Sequence, residues 1–308
     1  MTALRVLVIG ADNYIGSRIV TALRAAGGFA PVATDPRKPV TPDALHGVQG
    51  IVNAAIGNRH VIRAQAHAAS ALARAAGDAV RLVHLSSMTV YGARDGVVNE
   101  TAAPVADLGA YAAAQIEAER TVQAHPNTVI LRPGCEYGPG CEVWSERIAQ
   151  LLSARRLGDL GAAGDGYCNL VYIDDLVDAV VESLRRPAID GEIFNLAMRM
   201  PPRWNEYLIR FGIALRAVPI RRIPTRTLRW EAKVMAPLLK LIEIGARGLG
   251  HGRARTAPPL TASLLQLCRQ EIVLVPDKAE AVLGIRWTPL DEGIARAAAA
   301  ERPTISGT

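Results

Sequence analysis

Lysine is nearly missing from this 308-residue chain: of its 35 cationic side chains, all but Lys38, Lys233, Lys240 and Lys278 are arginines. The formal charge is +6, but the arginines are scattered, with a modest concentration from Arg221 to Arg255, and no aromatic-studded basic stripe accompanies them. That pattern reads as a solvated surface, with a phosphate-binding subset as the second reading, and it speaks against nucleic acid. Cysteine is also sparse. Cys135, Cys141, Cys168 and Cys268 have neither metal-ligand nor redox spacing, so reduced thiols in a cytoplasm are expected and a metal site is not. His60 and His67 stand seven apart with no carboxylate joining them, which adds nothing to a metal reading. Long apolar runs are lacking too. The run Leu4–Ile9 reaches Gly10 and Asp12 at once, as neither signal peptide nor membrane span does, and Val234 to Ile244 is interrupted by Pro237, Lys240 and Glu243. No integral membrane span is expected. The stretch Trp230–Ile244 could lie on a membrane surface, but such a helix more often covers a substrate cleft or a partner subunit.

What is present is an ordinary α/β composition, 50% hydrophobic and 21% charged, on a length that suits one two-lobed unit or two domains. The N-terminal half alternates short β-rich runs with longer helical ones, the pattern of a parallel sheet covered on both faces. Strands are predicted at Arg5–Ile9, Pro31–Thr34, Gly50–Ala54, Val80–Ser86 and Asn127–Arg132, with helices at Tyr14–Ala26, Val61–Ala76 and from Tyr111 to about Gln123. After Pro133 the alternation breaks, then returns at Leu170–Ile173, a helix to Leu184, and Glu192–Leu196. This predicts a Rossmann-type doubly wound parallel sheet in 1–134 and 169–197. A smaller, mostly helical substrate lobe is predicted in 135–168 and 198–308. The stretch between Asp35 and Ile51 is too short for the usual next strand with its acidic adenine contact.

Four features carry chemistry. Gly10-Ala11-Asp12-Asn13-Tyr14-Ile15-Gly16 lies between a β-rich run and a helix, where small residues let backbone approach a pyrophosphate at the helix N-terminus. Asn13 stands in the middle glycine's place, and asparagine tolerates positive φ best after glycine. The bland alternative is a tight turn with no ligand. Asp35 ends the second strand, where a carboxylate accepts both adenosine ribose hydroxyls and selects NAD, whereas Arg37 and Lys38 could accommodate NADP. The alternative for Asp35 is a turn former before Pro36. Ser86-Ser87-Met88-Thr89-Val90-Tyr91-Gly92 follows a buried strand, at the carboxyl edge where open α/β sheets bind ligands. Its serines either align a substrate oxygen or merely satisfy turn amides. Tyr111 and Gln115, four apart on a helix, share one face. The pair Asp174-Asp175 reads as a helix start with Asp174 as its N-cap, rather than as paired carboxylates.

In these motifs the chain resembles the extended short-chain dehydrogenase/reductases of the NAD-dependent epimerase/dehydratase type. The resemblance rests on the glycine turn at Gly10–Gly16, Ser86–Gly92, Arg132–Gly140 as Arg-Pro-x-x-x-Tyr-Gly-Pro-Gly, Val171–Leu176, Gly191–Leu196 and Trp287–Ile294. These occur in the family's order and cover most of residues 4–295. Tyr111–Gln115 matches the family's Tyr-x-x-x-Lys except in its last residue. The resemblance implies that Ser87 aligns the substrate, that Tyr111 is the general acid/base, and that Gln115 anchors the nicotinamide ribose. It further implies that Gly10, Asn13, Tyr14, Ile15 and Gly16 cradle the pyrophosphate, and that Asp35 and Arg37 meet the adenosine end. Ala54 and Ala55 would line the cofactor cleft, and Pro133, Gly134 and Cys135 would lie beside the nicotinamide. Pro258–Thr261 and Lys278–Gly284 are similar to members acting on apolar alcohols and ketones, such as the 3β-hydroxysteroid dehydrogenase-like branch.

Gln115 removes a charge. An ammonium ~4–5 Å from a phenolate, at an effective dielectric near 20, favours ionisation by roughly 3–4 kcal/mol. Without it Tyr111 should stay near its ordinary value, a poor base at neutral pH but a serviceable acid. Three functions follow as expectations. The first is an NAD(P)-dependent oxidoreductase on a carbonyl or alcohol of a small, lipophilic or secondary-metabolite substrate. The second is a nucleotide-sugar epimerase or dehydratase with Arg247, Arg253 or Arg255 on the diphosphate. The third is a dinucleotide-binding protein with a lapsed or non-redox site. The expected partners are a small-molecule substrate and, left open, a second copy of the chain in a homodimer.

Overall fold

A computed structural model of the chain describes residues 3–34, 42–54, 56–224, 226–227 and 260–301. Its strands are β1 (Leu4–Ile9), β2 (Phe29–Ala33), β3 (Val48–Asn53), β4 (Arg81–Leu85), β5 (Gly96–Val98), β6 (Thr128–Pro133), β7 (Cys135–Tyr137), β8 (Leu170–Tyr172), β9 (Ile193–Leu196) and β10 (Ile272–Leu274). Its α-helices are α1 (Tyr14–Ala25), α2 (Pro42–Leu45), α3 (Arg59–Ala76), α4 (Ala110–Val122), α5 (Arg147–Ser153), α6 (Ile173–Arg185), α7 (Trp204–Ala214), α8 (Ala262–Leu267) and α9 (Leu290–Glu301).

Six strands form one sheet in the order β2-β1-β3-β4-β6-β9, and every neighbouring pair is parallel. The apolar runs dictate this arrangement. Val6–Ile9, Gly50–Asn53, Leu82–Leu85 and all of β6 are buried, as strands covered on both faces must be. Six of the strands predicted for the sheet are present in it, their ends shifted by no more than two residues, whereas Leu170–Ile173, expected to return to it, forms β8 and pairs with β7 in a separate two-stranded sheet. The short β5, β7 and β10 and the single turn α2 carry too few residues for a periodic signal and were not expected. β2 forms one edge of the sheet and the chain then crosses to β3 on the far side of β1, in keeping with the short stretch after Asp35.

Alanine sets how closely the helices approach. α3 buries Ile62, Ala66, Ala69 and Ala73 along one stripe, and this stripe shares a core cluster with Ala114, Ala118 and Val122 of α4 and with Leu7, Ile51, Leu82 and Ile130 of the sheet. Each fully buried Leu or Ile there contributes roughly 1.5–3 kcal/mol, and a leucine in place of Ala69 would overpack the seam at a cost of about 1–3 kcal/mol. Asn58 caps α3 by accepting from the amides of His60 and Val61, and Gly77 ends it with a positive φ of 107°. α6 begins two residues earlier than expected. Tyr172 is its N-cap, and Asp174 and Asp175 lie inside the first turn, so Asp174 adds favourable dipole charge without capping.

The chain divides into two compact units, 1–136 with 171–199 and 274–287, and 137–170 with 200–273 and 288–308. The first holds the six-stranded sheet. In the second, Trp204, Tyr207 and Phe211 recur along α7 and gather Tyr137 and Trp144 around them, with ring centroids 5.5–6.2 Å apart. Five of the chain's 14 aromatic residues meet in this core. No helix among the described residues is long and apolar enough to cross a membrane.

Candidate active site

The glycine turn comes first along the chain. Gly10 has φ +81°, and a Cβ there would stand 2.7 Å from Asn13 Nδ2 and 2.8 Å from the Ala54 carbonyl oxygen. Only glycine fits that position. Gly16 is pinned the same way, since a Cβ on it would run into the Gly10 carbonyl. Asn13 does something other than supply a positive φ: its backbone is extended (φ −90°, ψ 172°) and its side chain is the N-cap of α1. Its Oδ1 accepts from Gly16 N at 2.9 Å and its Nδ2 donates to Ala54 O at 2.7 Å. Both polar atoms are therefore committed to shaping the turn, and the positive end of α1 is held at Tyr14 and Ile15. Ala54 is fully buried behind this turn. Asp35, Arg37 and Ala55 lie outside the described residues, as do Trp230–Ile244, Arg247, Arg253, Arg255, Pro258 and Pro259.

Ser87 leaves the carboxyl end of β4 and caps the 3₁₀ turn Met88–Tyr91, accepting from Thr89 N at 3.2 Å. Its hydroxyl also stands near enough to the Tyr111 phenol to favour ionisation there, so capping the turn and facing the tyrosine are compatible uses of one hydroxyl. Gln115 Nε2 donates to Tyr111 Oη at 3.0 Å. The structure thus brings Ser87, Tyr111 and Gln115 together, with Gln115 hydrogen-bonded to the phenol. Gln115 Oε1 is buried with no hydrogen-bond partner among the described residues, an acceptor that awaits a donor. Tyr111 keeps 44% of its surface exposed, yet crowding around the phenol pushes its pKa above the ordinary 10. Burial is the main cause and the Glu136 carboxylate adds to it, while the bonds from Gln115 and Ser87 oppose the rise. Sequence reasoning foresaw a tyrosine left near its ordinary value without the lysine; in the structure it is displaced further, away from ionisation.

Pro133 ends β6 beside β4, Gly134 N is tied to Leu196 O at 2.9 Å, and Cys135 is buried. Next in the chain is Glu136, whose carboxyl burial pushes up to about 7 against the lowering effect of its own backbone amide. Glu136 was not anticipated; its only signal was a carboxylate three residues past a strand end at the ligand-binding edge of the sheet.

A second group, also unforeseen, lies beneath the first. Glu119 stands on α4 two turns beyond Tyr111, on the same face. It receives a two-pronged bond from Arg132, Nε to Oε1 at 2.9 Å and Nη2 to Oε2 at 2.7 Å, with the two residues only 2% and 3% exposed. Ser86 Oγ donates to the same Oε1 at 2.5 Å. Arg132 Nη1 donates to Tyr91 Oη at 3.0 Å, and Tyr91 in turn donates to Asn195 Oδ1 at 2.6 Å. Burial disfavours the Arg132 charge, but the bonds and charge of Glu119 outweigh it and hold the guanidinium protonated. Both ends of the Ser86–Tyr91 segment are thereby fastened to the helix that carries Tyr111.

Lys278–Gly284 belongs to the first unit, where Gly284 (φ +76°) closes the turn of Ala279–Leu283, and Thr261 caps α8. An open cavity of about 330 Å³ lies along α4, lined by Arg63, Pro104, Ala106, Ala113, Ile116, Glu117 and Arg120; neither Ser87 nor Tyr111 lines it.

Residues 42–197 match the model of the NAD dependent epimerase/dehydratase family. No curated protein matches the chain. Among solved structures it is similar to the UDP-glucuronic acid 4-epimerase from Bacillus cereus in complex with UDP-glucuronic acid and NAD. The TM-score there is 0.70 at 17% identity, over 97% of this chain and 99% of that one. It is also similar to MoeE5 in complex with UDP-glucose and NAD, with TM-score 0.67, 22% identity, and coverage of 96% and 98%. The human epimerase family protein SDR39U1 with NADPH gives TM-score 0.71 at 17% identity, covering 96% of this chain and 99% of that chain.

Proposed function

This chain belongs to the NAD dependent epimerase/dehydratase family, and from that premise we propose that it oxidises and re-reduces a carbon–oxygen centre of a sugar nucleotide. The observation that carries the reading is the cluster of Ser87, Tyr111 and Gln115 at the carboxyl edge of the sheet, with Gln115 hydrogen-bonded to the phenol. Its phenol and serine hydroxyl are the groups that polarise a carbonyl or align an alcohol. Neighbours of the same fold that hold UDP-glucuronic acid or UDP-glucose together with NAD support the substrate class.

The residues present fit a dinucleotide. The Gly10–Gly16 turn has no room for side chains at its two glycines, and Gln115 Oε1 is a buried acceptor suited to a ribose hydroxyl. Gly10, Asn13, Tyr14, Ile15 and Gly16 would hold the pyrophosphate, largely by backbone. Asp35 and Arg37 would hold the adenosine end, and Ala54, Ala55, Pro133, Gly134 and Cys135 would border the cleft. NAD, with NADP as the second choice, supplies the hydride acceptor and donor when bound. Tyr111, held protonated, gives a hydrogen bond and then a proton to the substrate oxygen.

A second reading is one-way reduction of a lipophilic carbonyl. It is favoured by the upward shift of Tyr111, which suits an acid better than a base. The two are separated by incubating the protein with NAD or NADH and UDP-glucose, UDP-glucuronic acid or a panel of ketones. The proposal expects a sugar nucleotide to raise thermal stability and to be converted without net NADH consumption, both dependent on Tyr111 in a Tyr111→Phe comparison. Net NADH consumption with a ketone, and no response to any sugar nucleotide, would establish the second reading instead.

A further inference from the structure

We propose that Glu119 is a positioning residue for the reaction, the group that sets Tyr111 against Ser87 by fastening α4 to the end of β4 and to Arg132. This rests on the reading of Ser87 and Tyr111 as the pair that holds the substrate oxygen.

The need for such a fastening comes from how α4 is built. Tyr111 lies in its first turn, and Gly109, its N-cap, brings no side-chain bond to hold that turn. Ala114, Ala118 and Val122 of the helix pack in one cluster with Ala66, Ala69 and Ala73 of α3 and with the sheet. Side chains this short let elements approach closely but raise low ridges, which oppose sliding weakly. Ser87, by contrast, is fixed to the sheet, since Ser86 N donates to Leu131 O at 2.8 Å. A slide of α4 by about 1 Å would carry the phenol away from the serine, and a misplacement of that size can cost about 10²-fold in rate.

Glu119 supplies the direction that the alanines lack. It shares the face of Tyr111 and Gln115, roughly 12 Å along the helix axis from Tyr111. Its Oε1 accepts from Ser86 Oγ at 2.5 Å, which ties the residue beside Ser87 to the helix that carries Tyr111. Both carboxylate oxygens take the fork of Arg132, at 2.9 and 2.7 Å, and a bidentate, charge-assisted pair fixes angle as well as distance. Arg132 passes the constraint on: its Nη1 donates to Tyr91 Oη at 3.0 Å, and Tyr91 donates to Asn195 Oδ1 at 2.6 Å. Ser86 and Tyr91 bracket Ser87, so the segment that presents the serine is held at both ends by bonds converging on one carboxylate. An apolar pair could match the stability of these buried charges. It could not hold Ser86 and Tyr91.

The test separates position from stability in the full chain. Glu119→Leu combined with Arg132→Met should melt close to the wild type. With NAD and UDP-glucose or UDP-glucuronic acid, its kcat should nevertheless stay about 10²-fold low while KM moves little. Ser86→Ala removes a single bond and should lower kcat about 10-fold at little thermal cost, with Ser86→Thr restoring part of the loss. In a Ser87→Ala background the Ser86→Ala change should cost nothing further, because the serine it places is gone. Without cofactor or substrate, the Tyr111 phenolate, identified by ultraviolet titration against Tyr111→Phe, should form at higher pH in Ser86→Ala, because the hydroxyl that favours it is released. A stable double variant with wild-type kcat, losses that add in the Ser87→Ala background, or a Tyr111 titration unmoved by Ser86→Ala overturns the proposal. If the double variant does not fold, the Ser86→Ala measurements decide alone. Absence of turnover with every sugar nucleotide in the wild-type protein overturns the proposed function instead, and the titration still decides whether the Ser86–Glu119 bond places Ser87 against Tyr111.

Discussion

Replacing Glu119 by leucine should be among the most damaging single changes in the first unit, and the damage should be reversible by a second change. Glu119 and Arg132 are 3% and 2% exposed and meet through two bonds of 2.7 and 2.9 Å. Removing the carboxylate leaves a guanidinium in the core with no counter-ion, a defect worth roughly 3–5 kcal/mol. It also takes the acceptor from Ser86 Oγ, which places the cost towards the upper end of that range. At about 2–4 °C per kcal/mol for a unit of this size, the melting temperature should fall by roughly 6–20 °C. Arg132→Met should cost a similar amount, because it strands the carboxylate. Glu119→Leu combined with Arg132→Met should recover most of the loss, since an apolar pair of similar volume removes both buried charges together. Thermal and urea unfolding of the two single variants and the double variant, read as a double-mutant cycle, give the coupling energy. A cost below about 1 kcal/mol for Glu119→Leu, or strict additivity of the two losses, would refute the claim that this pair anchors the Ser86–Tyr91 segment to α4.

Two further outcomes follow from the same buried groups. His84 is 1% exposed and burial, opposed by the charge of Glu119, lowers its pKa from 6.5 to about 4. The unfolded chain binds the proton first, so about 3 kcal/mol of stability present above pH 6.5 should be lost as pH falls towards 4. His84→Gln should flatten that acid limb in melting curves, and an unchanged slope would show that His84 does not titrate as described. Gln115→Lys should bring the Tyr111 phenolate down by about two to three pH units, and an ultraviolet titration unaltered by the substitution would show that the ammonium does not reach the phenol.

The sheet was legible because its strands are continuous apolar runs of β-branched residues separated by helical stretches, a pattern that neither a membrane span nor an open antiparallel sheet shares. Val80–Ser86 and Asn127–Arg132 could be placed to within two residues, and with them the carboxyl edge where Ser87 and Tyr111 meet. Asn13 was found at the right place for the wrong reason. Spacing marks a tight turn, but it does not distinguish a residue that adopts a positive φ from one whose side chain caps the helix and hydrogen-bonds Ala54. Glu119 and Glu136 were invisible for a different reason. Helical periodicity places Glu119 on the face of Tyr111, yet nothing in the sequence says that Arg132, from another element, turns inward to meet it. A carboxylate past a strand end reads as a solvated loop residue until burial is known.

The neutral residue at 115 and the carboxylate at 136 make one electrostatic arrangement. A lysine at 115 would place an ammonium beside the phenol, within the same cluster whose other charge is Glu136. Those two opposite charges would attract, the more so the less water lies between them. That attraction would pull the carboxyl back towards its ordinary range and keep it ionised at neutrality, so Glu136 could accept a proton but not supply one. Glutamine leaves the carboxyl without that cation, and burial then favours its protonated form. Gln115 therefore does two things at once: it withholds the charge that would make Tyr111 a base, and it adds no cation that would lower the Glu136 carboxyl. Tyr111 and Glu136 are both displaced upward, towards their protonated forms, Tyr111 by burial and the Glu136 field and Glu136 by burial.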